Sequence, residues 1–389
     1  MPPVRVVSQA QVASILNSID REDILTGQAK AFHSYSANET QTPLRSSLHT
    51  DHHTALIMPA RINTASSAVS AVKIVSIPKQ DSKDGLPGVT VVMDNETGEP
   101  RGLVNARLLT AIRTAAASAL ATRAIVASSI PTNKPLTLVI FGSGAQARAH
   151  IQMLIHVLPQ IHKVVICNRT FPRVQNLIQE LQPQYSGNGH NNNHNKSIVE
   201  MIAYSTSTGE STTSSMTCPS ESPESLKEQL KQIVQSADVI CTCTNTREPL
   251  FPGEWVNPGT HINMVGSFKP EMREVDQTLI GRAFILADAR HECEEEAGEL
   301  ILAKKLTGQS GILAELGEVF DKNGQLDHAS LPSEFKSLAT STHHSEAQDA
   351  QHKDISIFKS VGIAAQDVAI TALVLEKAEA MNLGTVADF

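Results

Sequence analysis

Between residues 136 and 170 the pattern of apolar and polar positions spells a strand, a turn, a helix and a second strand. Leu136, Leu138, Val139, Ile140 and Phe141 form a short apolar run without strict alternation, as expected of a strand buried on both faces of a parallel sheet. Ile151, Leu154, Ile155 and Leu158 then recur at i, i+3, i+4 and i+7, which gives the next segment one apolar helical face. Val164, Val165, Ile166 and Cys167 supply the following strand.

The same reading extends in both directions. Upstream, residues 8–16 and 29–35 pattern as short helices, and 43–48, 55–59 and 70–77 as strands, the last carrying Lys73. Residues 88–93 and 101–104 flank the turn formers Asp94 to Gly98, which predicts a hairpin, and the alanine-rich stretch 107–128 predicts a long helix. Downstream, apolar runs at 198–204, 237–242, 261–265 and 283–287 alternate with helical segments, the signature of a doubly wound sheet. Polar runs at about 185–196, 205–224 and 339–353 read as surface insertions and loops. Residues 355–380 begin like a strand and continue as a helix; they fall outside the sheet pattern and are expected to return to the first domain. The fold class is therefore α/β: a doubly wound parallel-sheet domain over 131–354, plus an α+β domain built from 1–130 and 355–389.

Chemistry enters at the turn after the first of the two strands. Gly142, Gly144 and Ala147 make G-x-G-x-x-A, with Ser143, Ala145 and Gln146 between them. The first glycine permits a tight turn, the second lets backbone N–H groups approach a pyrophosphate, and the small alanine lets helix pack on strand. The helix N-terminus adds a favourable dipole for the phosphates. At the end of the second strand, where an NAD site usually carries Asp or Glu, the chain reads Asn168-Arg169-Thr170, with Arg173 close behind. A guanidinium suits a 2′-phosphate that a carboxylate would repel, so NADP(H) is favoured, with NAD(H) the alternative.

Composition narrows the field. A chain of 389 residues exceeds what one core usually serves, so two domains are expected. With 32 basic and 40 acidic residues the net charge is −8, which argues against nucleic acid or an anionic membrane as partner and for small-molecule chemistry. The 5 cysteines, Cys167, Cys218, Cys241, Cys243 and Cys293, show neither zinc nor disulfide spacing, so no metal is expected and a reducing cytoplasm is the simple reading. No stretch approaches the about 20 apolar residues of a membrane span.

Ordered motifs add a resemblance. RTAAASALA at Arg113–Ala121, GSGAQA at Gly142–Ala147, NRT at Asn168–Thr170, GEWVNPGTHINMVGS at Gly253–Ser267, EAGEL at Glu296–Leu300, AELGEV at Ala314–Val319 and FKSVG at Phe358–Gly362 resemble the ornithine cyclodeaminase and mu-crystallin family. The resemblance implies that Arg45 and Arg113 hold a substrate carboxylate and that Lys73 sits beside the reacting nitrogen or carbonyl. It further implies that Thr114, Thr244, Asn245, Val265 and Ser360 lie near the cofactor, Glu296 near the substrate and Thr90 at the pocket edge. It implies, too, that the middle domain is a Rossmann-type NAD(P)-binding domain, that the domain made from both chain ends is a substrate and dimerisation domain, and that the protein is a homodimer.

Two positions depart from the ornithine-cyclising members. An aspartate two residues before the proline that follows Val265-Gly266 is here Phe268, and a glutamate two residues before Met-Pro is here Leu56. Neither can accept a hydrogen bond from a distal ammonium, whose unpaired burial is costly. The expected activity is NADPH-dependent reduction of ketimine carboxylates such as pyrroline-2-carboxylate or piperideine-2-carboxylate, by an oxidoreductase acting on CH–NH and C=N bonds. The alternatives are an ornithine or lysine cyclodeaminase, an alanine-type dehydrogenase, or a non-catalytic NADPH-dependent ligand-binding protein like mu-crystallin.

Overall fold

The structure is a computed structural model that describes residues 3–63, 68–79, 85–127, 133–186, 198–208, 210–212, 222–338 and 353–388. Most of the polar stretches read as insertions, together with Cys218, lie outside the described residues. Among those described, the strands in chain order are β1 Val4–Val7, β2 Ser46–His49, β3 His53–Asn63, β4 Ala68–Pro78, β5 Gly88–Met93, β6 Pro100–Asn105, β7 Leu136–Phe141, β8 Ile161–Asn168, β9 Glu200–Ser205, β10 Val239–Thr242, β11 His261–Met264, β12 Ala283–Ala287, β13 Ile312–Glu315, β14 Ile355–Lys359 and β15 Thr385–Ala387. The chain divides into two compact units, one of residues 1–120, 315–330 and 362–389, the other of 121–314 and 331–361.

The first unit holds a sheet in the order β15-β1-β6-β5-β4-β3-β2, antiparallel except where β1 runs parallel to β6. One face of β3 and β4 alternates into the interior, and the helix Ala364–Ala380 packs across β3, β4 and β5 with the helix Arg21–Ser36 beside it. The helix Ala364–Ala380 is apolar on nearly every side, so its burial between sheet and helix follows from composition. Two features escaped the sequence pattern: β1 and β15 are too short to register as periodic runs, and they find each other across nearly the whole chain. Residues 315–330 also belong here; in their first turn, a Cβ on Gly317 would overlap the backbone carbonyl of Phe32.

The second unit is a sheet in the order β13-β12-β14-β11-β10-β7-β8-β9, with its resolved pairings parallel. Its strands β7, β10, β11 and β14 are buried along their full length, which explains why they read as runs without alternation. The order reverses between β7 and β10, the switch point where open α/β sheets bind ligands at the carboxyl ends of their strands. One expectation is corrected. The strand at Ile355–Lys359 does not return to the first domain but inserts between β11 and β12, and only the chain from Gly362 onward belongs to the first unit. Its sheet neighbours lie far away in sequence, so no local pattern could place it.

Gly317 gives a direct test of the packing. Gly317→Ala should lower unfolding free energy by about 1–3 kcal/mol, read as a lower urea midpoint at unchanged slope, because backbone cannot yield as a flexible side chain would.

Candidate active site

In the first unit, three charged side chains converge on the buried face of the sheet. Lys73 on β4 lies opposite Met58 of β3 and Thr90 of β5, so these three share one row. Lys73 is 2% exposed and donates from Nζ to Asp367 Oδ1 at 2.8 Å. The same oxygen accepts from Arg113 Nε at 3.2 Å, while Arg113 Nη1 donates to Gln366 Oε1 at 3.0 Å. Arg45 directly precedes β2, whose first pair is Ser46 with Ile57, and its charge reaches Lys73. Burial depresses the Lys73 pKa, Asp367 pulls it back up, and Arg113 and Arg45 push it down again, leaving it at about 8. Two buried polar atoms beside this group, Thr90 Oγ1 and Asp367 Oδ2, have no hydrogen-bond partner among the described residues. Buried polar atoms without a partner are uncommon in folded chains, and their position at a cationic cluster makes this the candidate substrate site.

The second unit brings the glycine turn to the switch point. Gly142 has φ +120°, donates to Cys167 O at 2.9 Å, and has no room for a Cβ, which would meet Cys243 O at 2.9 Å. Gly144 caps the helix Ala145–Val157, and a Cβ there would meet nothing within 4 Å, so the turn is open on that side. Asn168 Nδ2 donates to Ser143 Oγ at 2.9 Å, tying the end of β8 to the turn. Beyond Asn168, Arg169, Thr170 and Arg173 are exposed, and no carboxylate stands at the strand end. Gln146 Oε1 is buried without a partner among the described residues. The open approach at Gly144, the helix N-terminus and the unpaired amide oxygen fit a dinucleotide's phosphates and polar groups.

Behind this edge lies a hub that the sequence did not reveal. Glu274 Oε1 accepts from Thr244 N at 2.8 Å and Thr244 Oγ1 at 2.9 Å; its Oε2 accepts from Thr242 Oγ1 and Gly266 N, each at 2.8 Å, and from Ser267 N at 3.3 Å. It thereby fixes the loops after β10 and β11. Burial pushes its carboxyl up to about 7 against the opposing pull of Lys359 and the Thr244 N–H. Lys359 at the end of β14 pairs with Glu299 at 3.0 Å and donates to Ser267 O at 2.6 Å. Burial would lower the Lys359 pKa, but Glu299 and Glu274 outweigh it and hold it above the ordinary lysine value.

Comparison with known proteins follows this geometry. The ornithine cyclodeaminase/mu-crystallin family model matches residues 4–189 and 225–382. The chain belongs to that family. A Delta(1)-pyrroline-2-carboxylate reductase of Bacillus thuringiensis subsp. konkukian is 26% identical over 379 residues, covering 96% of this chain and 97% of that protein. The ketimine reductase mu-crystallin of Mus musculus is 26% identical over 323 residues, covering 82% and 79%. The structure of Thermococcus litoralis Delta(1)-pyrroline-2-carboxylate reductase in complex with NADH and L-proline superposes with a TM-score of 0.73 at 22% identity, over 98% of this chain and 99% of that one.

Lys73, Arg113 and the charge of Arg45 gather in the first unit, and Thr90 joins their row. Gly142 to Gln146, Asn168 to Thr170 and Arg173 line the turn and the neighbouring strand end. Thr244 and Val265 follow β10 and β11, and Asn245 is exposed beside them. Ser360 follows β14, where its hydroxyl donates to Asp288 Oδ2 at 2.6 Å. Thr114 lies in the first unit and spends its hydroxyl on Thr110 O of its own helix at 2.8 Å. Glu296 ends the helix Arg290–Glu296 of the second unit and is half-buried. The reading missed Asp367, Gln366 and Glu274; only Asp367 left a signal, as a lone acid at the start of a helix otherwise made for the core.

Glu274→Gln would turn one end of this acceptor into a donor facing N–H and O–H groups. Each buried group left unpaired costs about 1–3 kcal/mol. The variant should melt lower and bind reduced nicotinamide nucleotide at least about tenfold more weakly, read by fluorescence titration.

Proposed function

We propose that this protein is an NADPH-dependent reductase of small ketimine carboxylates, cyclic imines of the pyrroline-2-carboxylate and piperideine-2-carboxylate type. The observation that carries the reading is the buried group of Lys73, Arg113 and Asp367 with the charge of Arg45 beside it. Arg45 and Arg113 present guanidinium forks to the substrate carboxylate, and fixing that end orients the C=N bond. Lys73 holds a proton for the imine nitrogen, and a protonated imine is the better hydride acceptor. Asp367 keeps that proton on Lys73 in a site where burial and two guanidinium charges would strip it.

Reduced nicotinamide supplies the hydride when bound at the glycine turn. Backbone from Gly142 to Gln146, the side chains of Asn168, Thr170, Thr244, Asn245 and Ser360, and Val265 are the groups that would hold it. Arg169 and Arg173 favour the 2′-phosphate of NADPH over the bare ribose of NADH.

Phe268 and Leu56 set the substrate class. Phe268 packs against the apolar core of its unit, and Leu56 sits opposite Val75, on the same face of the sheet as Lys73. Neither offers an acceptor to a distal ammonium, so compact apolar imino acids suit the site better than ornithine or lysine.

The reading is tested by following NADPH oxidation with a panel of cyclic ketimines. Turnover is expected, with higher kcat/KM for NADPH than NADH; no oxidation with any member of the panel would overturn it. Lys73→Met should cut turnover by about 10²–10⁴-fold while the nucleotide still binds. The pH profile has a defined sign. Lys73 carries its proton below about 8, so imine reduction should fall as pH rises through 8 and the reverse oxidation should rise. Asp367→Asn removes the charge that raises the Lys73 pKa, so the falling limb should move to lower pH.

A further inference from the structure

Beneath the glycine turn lies a cluster that the proposed reaction does not use. Cys241 in β10 and Cys243 just after it are two residues apart on an extended segment, so both side chains leave the same face of the strand. His150, in the second turn of the helix Ala145–Val157, meets them there. The two sulfurs are 3.5 Å apart, and the ligand atoms of all three side chains lie within 4.8 Å of one another. His150 and Cys241 are buried, and Cys243 is half-buried. No local pattern announces this cluster, because the histidine stands 91 positions before Cys241 and only the packing of that helix on the sheet joins them.

We propose that His150, Cys241 and Cys243 form a binding site for a thiophilic divalent cation, with Zn²⁺ as the best fit. Three features support it. Two thiolates on a tetrahedral Zn²⁺ at about 2.3 Å stand about 3.8 Å apart, close to the separation found here, whereas a disulfide needs about 2.05 Å. The imidazole is already oriented: His150 Nδ1 bonds to Gln146 O at 2.8 Å, which turns Nε2 toward the sulfurs. A metal-bound histidine commonly gives its other ring nitrogen to a backbone carbonyl in this way. Two thiolates and a divalent cation also sum to zero charge, so the assembly can sit in a buried place without an uncompensated ion. The half-buried side of Cys243 leaves the fourth position to solvent.

The placement gives the site a structural role. Cys243 forms the wall against which Gly142 turns, its N–H donating to Phe141 O at 2.8 Å, and Gln146 belongs to the turn's own motif. A cation joining Cys243 to His150 clamps both sides of the turn across the switch point.

The test uses the full chain, stripped with a chelator under reducing conditions and titrated with Zn²⁺, and with Co²⁺ as a spectroscopic probe. One equivalent of zinc is expected, together with a thiolate-to-cobalt charge-transfer band and a higher melting temperature on loading. The double variant Cys241→Ser/Cys243→Ser should lose at least 100-fold in zinc affinity and lose the band, and His150→Gln should lose about 10–100-fold. Should the double variant fold poorly, alkylation mapping on the wild-type chain decides: zinc should protect Cys241 and Cys243 together. Binding that survives in the double variant, a cobalt spectrum without the thiolate band, or unprotected cysteines would each overturn the site.

Discussion

A single carboxylate, Asp367, decides how the first unit is put together. Lys73 and Arg113 are both buried on one side of the sheet, and two like charges in a dry interior are untenable without an anion between them. Asp367 Oδ1 serves both cations at once, so the helix that carries it must dock over β3, β4 and β5. This is why the first domain cannot be completed by the N-terminal part of the chain alone. Buried ion pairs are weak contributors to stability compared with well-packed apolar side chains, so the retention of this one points to use rather than strength. Its second oxygen has no hydrogen-bond partner among the described residues.

The second unit meets an analogous demand with Glu274. Loops that leave the carboxyl edge of a parallel sheet carry N–H groups with no strand to pair with, and buried ones need an acceptor. Glu274 gathers those of Thr244, Gly266 and Ser267 and adds two hydroxyls, so the loops after β10 and β11 are held by one side chain. Its charge is in turn balanced by Lys359, which arrives on β14. The unexpected position of β14 between β11 and β12 thus has a consequence beyond topology, since a strand at the sheet edge could not place a lysine beneath those loops. In each unit one buried carboxylate gathers donors that several elements deliver to it.

The sequence was legible where physics is local. Apolar runs, the G-x-G-x-x-A turn and the Asp94 to Gly98 hairpin each declare themselves within a dozen residues, and the strands and turn appear where those patterns put them. Lys73, Arg45 and Arg113 were named through resemblance, because a lysine in an alternating strand and an arginine on a helix look like ordinary surface charges. Asp367, Glu274 and the His150, Cys241 and Cys243 cluster stayed hidden for one reason. Asp367 meets Lys73 across 294 positions and Glu274 meets Thr242 across 32, and composition carries no record of what a fold will bring near. The strand at Ile355–Lys359 was misplaced on the same ground: its burial was readable, its neighbours were not.

Residues 359–367 supply groups to each of the two units. Lys359 balances Glu274 and Glu299, Ser360 bonds Asp288, and both belong to the second unit. From Gly362 the chain belongs to the first unit, where Gln366 and Asp367 take up Arg113. Gly362 itself has φ +83°, and a Cβ there would overlap the Arg113 guanidinium, so glycine is required twice over, for backbone conformation and for space. Insertion of one residue anywhere in this run would shift either the lysine under the loops or the aspartate between the cations. The run therefore carries, within nine residues, the lysine that serves the carboxylates of the second unit and the aspartate that serves the cations of the first.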